Sequence, residues 1–208
     1  MSTSAGPLLL PRLVAYTLLI SISICVIGTS AWALADLNDK EDQLKDVFSQ
    51  GELDASDNVA CSSVAVAFAA GAIFTTFCYI LFAAIPKFRK CDVTQKSLKA
   101  HAWYYGFLDL AWLAIGIASA VIVATRSADI TVPGVPQGLI DQALKSSGES
   151  TAYKDNNPSV AYVICIWLAF LITSMVLVLE VAAVRAAASP AVGDRENMHP
   201  ERVNEVKG

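Results

Sequence analysis

Few side chains in this 208-residue chain could carry chemistry, and the first is a carboxylate in an unexpected place. Asp109 stands inside "WYYGFLDLAWLAIGIASAVIVAT", residues 103–125, a stretch otherwise suited to lipid. An ionisable group there has two uses: a relay for protons or cations, or a hydrogen-bonding centre that fixes neighbouring helices. Glu180 is the other acid within an apolar window. It falls at the window's end, where the sequence places it within reach of water.

The remaining inventory argues against an enzyme. The two histidines, His101 and His199, lie outside the apolar windows, and no H-E-x-x-H or Cys/His spacing suits a metal. The phosphate-cradling G-x-x-x-x-G-K-[ST] loop and the G-x-S-x-G nucleophile elbow are missing too. No catalytic residue, metal or cofactor is expected. Nor is nucleic acid or a small-molecule substrate inferred.

What must position these groups is a membrane bundle. The chain is 55% hydrophobic and only 16% charged, too apolar for an ordinary soluble domain. A bilayer core needs about 20 apolar residues in a helix, and four windows qualify: 13–34, 59–85, 103–125 and 160–181. Backbone groups in lipid must be satisfied internally, and no window alternates as a barrel strand would. The expected fold is all-α, a polytopic four-helix bundle over residues 1–188. The polar stretch 189–208 has the composition of a disordered cytosolic tail.

Orientation follows from the loops. The middle connection carries Lys87, Arg89, Lys90, Lys96 and Lys99 against Asp92, whereas 36–58 is strongly acidic. Positive residues favour the cytosol, so both termini are expected there, with Arg12 just before the first helix. "SAWALA", ending at Ala35, also offers a signal-peptidase site, but the apolar run before it is longer than a signal segment needs. A retained first helix is the favoured reading. Trp32, Trp103, Tyr104, Tyr105 and Tyr162 flank the windows and read as interfacial anchors.

Cys91 follows "PKFRK" beside the membrane, which suits S-palmitoylation or simply a free cytosolic thiol. Lys87, Arg89 and Lys90 form a basic surface cluster next to it. In the loops, Leu44, Val47 and Phe48, and again Leu139, Ile140, Ala143 and Leu144, recur at helical spacing, the second set after a "PGVP" turn.

Small residues at four-residue spacing suggest how the helices meet: Ser63, Ala67 and Gly71 in the second, Gly116, Ala120 and Ala124 in the third, and Ala161, Cys165, Ala169 and Thr173 in the fourth. Asp109 lies about 9 Å past Trp103 at the helical rise. Thr17, Ser21, Thr75, Thr76, Thr173 and Ser174 fall near the same depth. The expectation is a polar layer with Asp109 as hub and Thr76 and Thr173 among its partners.

The third window, with its acid followed by a Trp-containing run of small residues, resembles the corresponding helix of MARVEL-domain proteins, particularly fungal ones. "AYVICIWLAFLITSMVLVLE" is similar to their fourth helix, with Trp167 and Phe170 before an aliphatic run. The resemblance extends over roughly residues 8–188. It implies a protein without chemistry of its own that organises membrane domains, supports vesicle traffic or accompanies other membrane proteins. Its partners would be the lipid bilayer and other membrane proteins, or itself, in the plasma membrane or an endomembrane.

Overall fold

The structure, a computed structural model, describes residues 8–47, 50–85, 95–147 and 150–188. In chain order the elements are α1 (Leu9–Val47), β1 (Glu52–Asp54), α2 (Ser56–Ala84), α3 (Gln95–Thr125), β2 (Asp129–Thr131), α4 (Gln137–Ser147), a 3-10 turn (Tyr153–Asp155) and α5 (Asn157–Ala188). Helices α1, α2, α3 and α5 are long and apolar enough to cross a membrane. Each outlasts its apolar window.

The core is a seam of side chains at alternating steps of three and four. On α1 it runs Arg12, Tyr16, Leu19, Ser23, Val26, Ser30, Ala33 and Leu37; on α5, Ser159, Tyr162, Ile166, Ala169, Thr173, Val176, Glu180 and Ala183. A 3.5-residue repeat keeps one narrow stripe facing the bundle axis, as in left-handed coiled coils. Helix α5 packs chiefly on α1 and α3, and α1 also on α2, while α2 and α3 meet less extensively.

The helix-packing expectation divides here. Gly116 is buried, and a Cβ on it would sit 3.4 Å from Ile166 Cγ2 and 3.5 Å from Trp167 Cε2, so its small size lets α3 approach α5. Ala120 is half-buried beside it, and Ala169 and Thr173 lie in the α5 seam. On α2 the expected stripe is corrected: Ser63, Ala67 and Gly71 are exposed, and the packed stripe is Ser62, Ala65, Ala69, Ala72 and Thr76. The two stripes are equally small, so residue size could not choose between them.

At 39 residues, α1 is about 58 Å long, roughly twice a hydrocarbon core. Its last turns are polar, and Lys40 pairs with Asp36 and Lys45 with Glu41 at i, i+4. Leu44 and Val47 therefore continue α1 instead of forming a separate loop helix; Phe48 lies outside the described residues.

The opposite end from the chain termini is closed by a small ribbon. β1 pairs antiparallel with β2, Leu53 facing Ile130, which joins the first long connection to the second. Ala55 and Ala128 are buried beneath it. Val132 to Val135 then make the expected turn, with Pro133 second, Gly134 third at φ +81° and a 3.1 Å bond closing it. α4 follows over the predicted residues, with Ile140 buried.

Polar residues fasten this end to the helices. Asn156 caps α5, its Oδ1 accepting the Ser159 N–H at 3.3 Å, and its Nδ2 donates to Asp36 Oδ2 at 2.7 Å. Asn58 donates to Ser159 Oγ and accepts from Tyr162 Oη at 2.8 Å. Tyr153 Oη donates to Asp57 Oδ1 at 2.9 Å. Burial, and then the Asp57 carboxylate, push the Tyr153 phenol well above its ordinary range. Asp54 accepts the Ser56 N–H at 3.0 Å, which holds its carboxyl below the usual range.

Candidate functional site

At the termini end the four long helices converge on a charged cluster. Arg12 sits in the first turn of α1 and Glu180 near the end of α5, so antiparallel packing brings them level. Arg12 donates Nε to Glu180 Oε1 at 2.8 Å and Nη2 to Oε2 at 3.0 Å, a bidentate pair. Arg12 is 3% exposed and Glu180 fully buried. Tyr16, one turn along α1, donates to Glu180 Oε1 and accepts Arg12 Nη2 at 3.2 Å.

The third helix contributes His101. Its Nδ1 lies 3.4 Å from Arg12 Nη2 and 3.9 Å from Glu180 Oε2. A guanidinium can only donate, so a hydrogen bond between them requires His101 to accept at Nδ1 and to be neutral. A second proton on the ring would set two cations side by side.

Around this pair stands a tyrosine shell from α1, α2 and α3. Tyr16 stacks on Tyr105 with ring centroids 5.6 Å apart, and Tyr79 leans on His101 at 4.1 Å and meets both Tyr104 and Tyr105 at 6.1 Å. Tyr104 Oη shares a hydrogen bond with Thr75 Oγ1, and Tyr105 Oη lies 3.3 Å from Thr76 Oγ1. Tyr16 and Tyr105 are buried, and the hydroxyls of Tyr16, Tyr104 and Tyr105 are each partnered, which suits tyrosine beside a charge.

Three expectations change as a result. Glu180 does not reach water; it is the buried anion of the cluster, because its face of α5 turns to the bundle axis. Arg12 lies within α1, its charge neutralised by Glu180. Among the proposed anchors, Trp32 and Trp103 are exposed at 55% and 82%, whereas Tyr105 and Tyr162 are core residues.

The polar layer about Asp109 is likewise smaller than expected. Asp109 is half-buried and accepts one bond, from Ser174 Oγ at 2.8 Å, joining α3 to α5. Thr76 turns to Tyr105, and Thr173 bonds back to the Ala169 carbonyl of its own helix at 2.8 Å. Thr17 and Ser21 also bond back, to Leu13 and Thr17. Such back-bonding satisfies a hydroxyl without a neighbour. Cys91, Lys87, Arg89 and Lys90 lie outside the described residues, as does the 189–208 tail.

Comparison with known proteins found no match. Neither a family model, nor a curated protein, nor a solved structure is significantly similar to this chain. The reading of the site therefore depends on its own chemistry. That chemistry is a desolvated ion pair, Arg12 with Glu180, with Tyr16 bonded to both and His101 beside them.

Sequence reasoning missed the cluster although signals were present. Arg12 and Glu180 are opposite charges at the same depth on antiparallel helices, each one seam step from a buried neighbour. Reading the window edges as solvent-accessible concealed the match.

Proposed function

We propose that this chain is a non-enzymatic tetraspan integral membrane protein that organises lateral membrane domains, or accompanies other membrane proteins and vesicle traffic. The observation that carries this reading is the Arg12–Glu180 pair: the first and last long helices are locked by groups that satisfy each other. An ion or proton path needs titratable groups that exchange with water, and here the acid is sealed by Arg12, Tyr16 and the tyrosine shell. The resemblance of the third and fourth windows to MARVEL-domain helices implies the same class. We place both termini in the cytosol on the strength of the lysine-rich middle connection.

The outward faces support it as well. Leu10, Phe74, Trp103, Leu110 and Val178 are all more than 60% exposed, as a lipid-facing surface requires. The outward Ser63, Ala67 and Gly71 face of α2 would let another transmembrane helix approach closely, with open space beyond the Gly71 Cα.

One observation favours a second reading. His101 lies against both members of the ion pair, so the cluster also has the composition of a proton-coupled site, centred on Glu180 and not on Asp109. Reconstitution separates the two. The protein in sealed liposomes should pass neither protons nor monovalent cations, and mild-detergent purification should retain stoichiometric membrane-protein partners. Flux that disappears in Glu180→Gln, with the protein still folded, would replace the organising role by transport.

A further inference from the structure

Four buried side-chain atoms in the long helices have no hydrogen-bond partner among the described residues: Ser23 Oγ and Ser30 Oγ on α1, and Trp112 Nε1 and Ser119 Oγ on α3. Their placement is regular. α1 and α3 run the same way and stand diagonally across the bundle, each packed on α2 and α5. Arg12 meets His101 and Tyr16 stacks on Tyr105, which fixes the register of the two helices. The buried residues of α3, His101, Tyr105, Leu108, Trp112, Ile115 and Ser119, then repeat the α1 seam step for step. Ser23 is therefore level with Trp112, and Ser30, two turns on, with Ser119.

The two levels differ in what surrounds them. At the second, the Tyr162 hydroxyl stands beside Ser119 and itself donates to Asn58 Oδ1 at 2.8 Å, so a protein oxygen is at hand. At the first, the registers set by Arg12 with Glu180 and by Thr76 with Tyr105 bring Ala169 of α5 and Ala69 of α2, both fully buried. Neither has a polar side-chain atom. A serine in such surroundings can turn to a carbonyl of its own helix. An indole N–H only donates, and its rigid ring holds it away from its own backbone.

We infer that one ordered water molecule is built into the bundle axis at this level, accepting the Trp112 Nε1 proton and bonded to Ser23 Oγ. Buried polar groups are paired with protein or with ordered water, and the neighbouring side chains offer the indole no acceptor besides Ser23. Three small residues, Ser23, Ala69 and Ala169, face the single large one, a composition suited to a guest of this size. The water links α1 to α3 across the axis. Leu19 and Leu108 lie on its termini side and Val26 and Ile115 on the other, all buried. Apolar layers thus separate it from Glu180, and it exchanges only when the bundle opens.

The test is NMR of the full-length protein in detergent micelles with isotope-labelled tryptophan, Trp112→Phe identifying the Trp112 indole signal by its loss. That N–H should give a cross-peak to water whose Overhauser effects have opposite signs in the laboratory and rotating frames, the mark of a long-held water molecule. Ser23→Ala should keep the cross-peak, because the indole still needs an acceptor, and so excludes relay through the serine hydroxyl. A crystal structure of the full chain should place a water oxygen about 2.9 Å from Nε1. Absence of a long-lived water cross-peak in the parent, its loss in a folded Ser23→Ala protein, or a protein atom accepting the indole proton in the crystal would each overturn the assignment.

Discussion

Arg12 and Glu180 lie 168 residues apart in sequence and are joined by two parallel hydrogen bonds of 2.8 and 3.0 Å. The pair closes the bundle by tying its first long helix to its last. A desolvated ion pair is not a large net source of stability, because removing both charges from water offsets most of their attraction. Its strength is in specificity: a register in which either charge lacked its partner would be heavily penalised.

Removing one member should therefore cost more than removing both. Arg12→Met or Glu180→Leu alone is expected to destabilise by about 3–5 kcal/mol, and the double substitution to recover much of that loss. Reversible denaturation of the detergent-solubilised protein, analysed as a double-mutant cycle, checks it. Additive losses would mean that the two charges act independently.

Asp109 should behave as a modest helix–helix contact. Asp109→Asn retains an acceptor for Ser174 and is expected to preserve assembly, while Asp109→Leu loosens the α3–α5 contact without blocking insertion. Ser174→Ala should cost on the order of 0.6 kcal/mol, the average for such bonds between membrane helices. The contradicting outcome is a folded Asp109→Asn protein that has lost function, since that would assign the carboxylate a titrating role.

Two glycines should respond oppositely to bulk. Gly116→Leu drives a side chain into Ile166 and Trp167, and overpacking of this kind costs about 1–3 kcal/mol. Gly71 has open space, so Gly71→Leu should leave the thermal midpoint nearly unchanged while weakening any partner that docks on that face of α2. Melting and co-purification measured on both variants separate the effects.

The sheet end should lose stability in alkali. The folded state raises the Tyr153 phenol above its unfolded value, so the neutral form is favoured by folding. That contribution is fully present below the ordinary tyrosine pKa of about 10 and declines as pH rises beyond it. The alkaline loss in a pH-dependent unfolding series should be smaller in Tyr153→Phe than in the parent; identical losses would exclude this residue as a source.

Topology is open to direct labelling. With the protein at the surface of intact cells and Cys61 replaced by alanine, an impermeant thiol reagent should modify Ser56→Cys and spare Cys91. The reverse pattern would invert the orientation. Sequencing the mature N-terminus in the same preparation tests cleavage after Ala35, which would remove Arg12 and leave Glu180 buried without its cation.

The sequence by itself determined the four long helices, the PGVP turn and α4. Their signals are local: an apolar run long enough for a bilayer, or a proline–glycine pair that fixes two φ angles. It did not determine how each long helix is rotated about its axis. In a soluble bundle the polar face marks the outside, but here the lipid-facing and core-facing sides are both apolar. Ser63, Ala67 and Gly71 therefore read as well as Ser62, Ala65, Ala69 and Ala72, and only packing against α1 and α3 chose the second set. Rotation also turned Glu180 inward onto Arg12 and left Asp109 with Ser174 alone. Likewise, each strand of the β1–β2 ribbon is three residues long and becomes a strand only through its partner in the other connection. Tertiary structure decided these features because each depends on groups distant in sequence coming to one depth and one face, which no local pattern encodes.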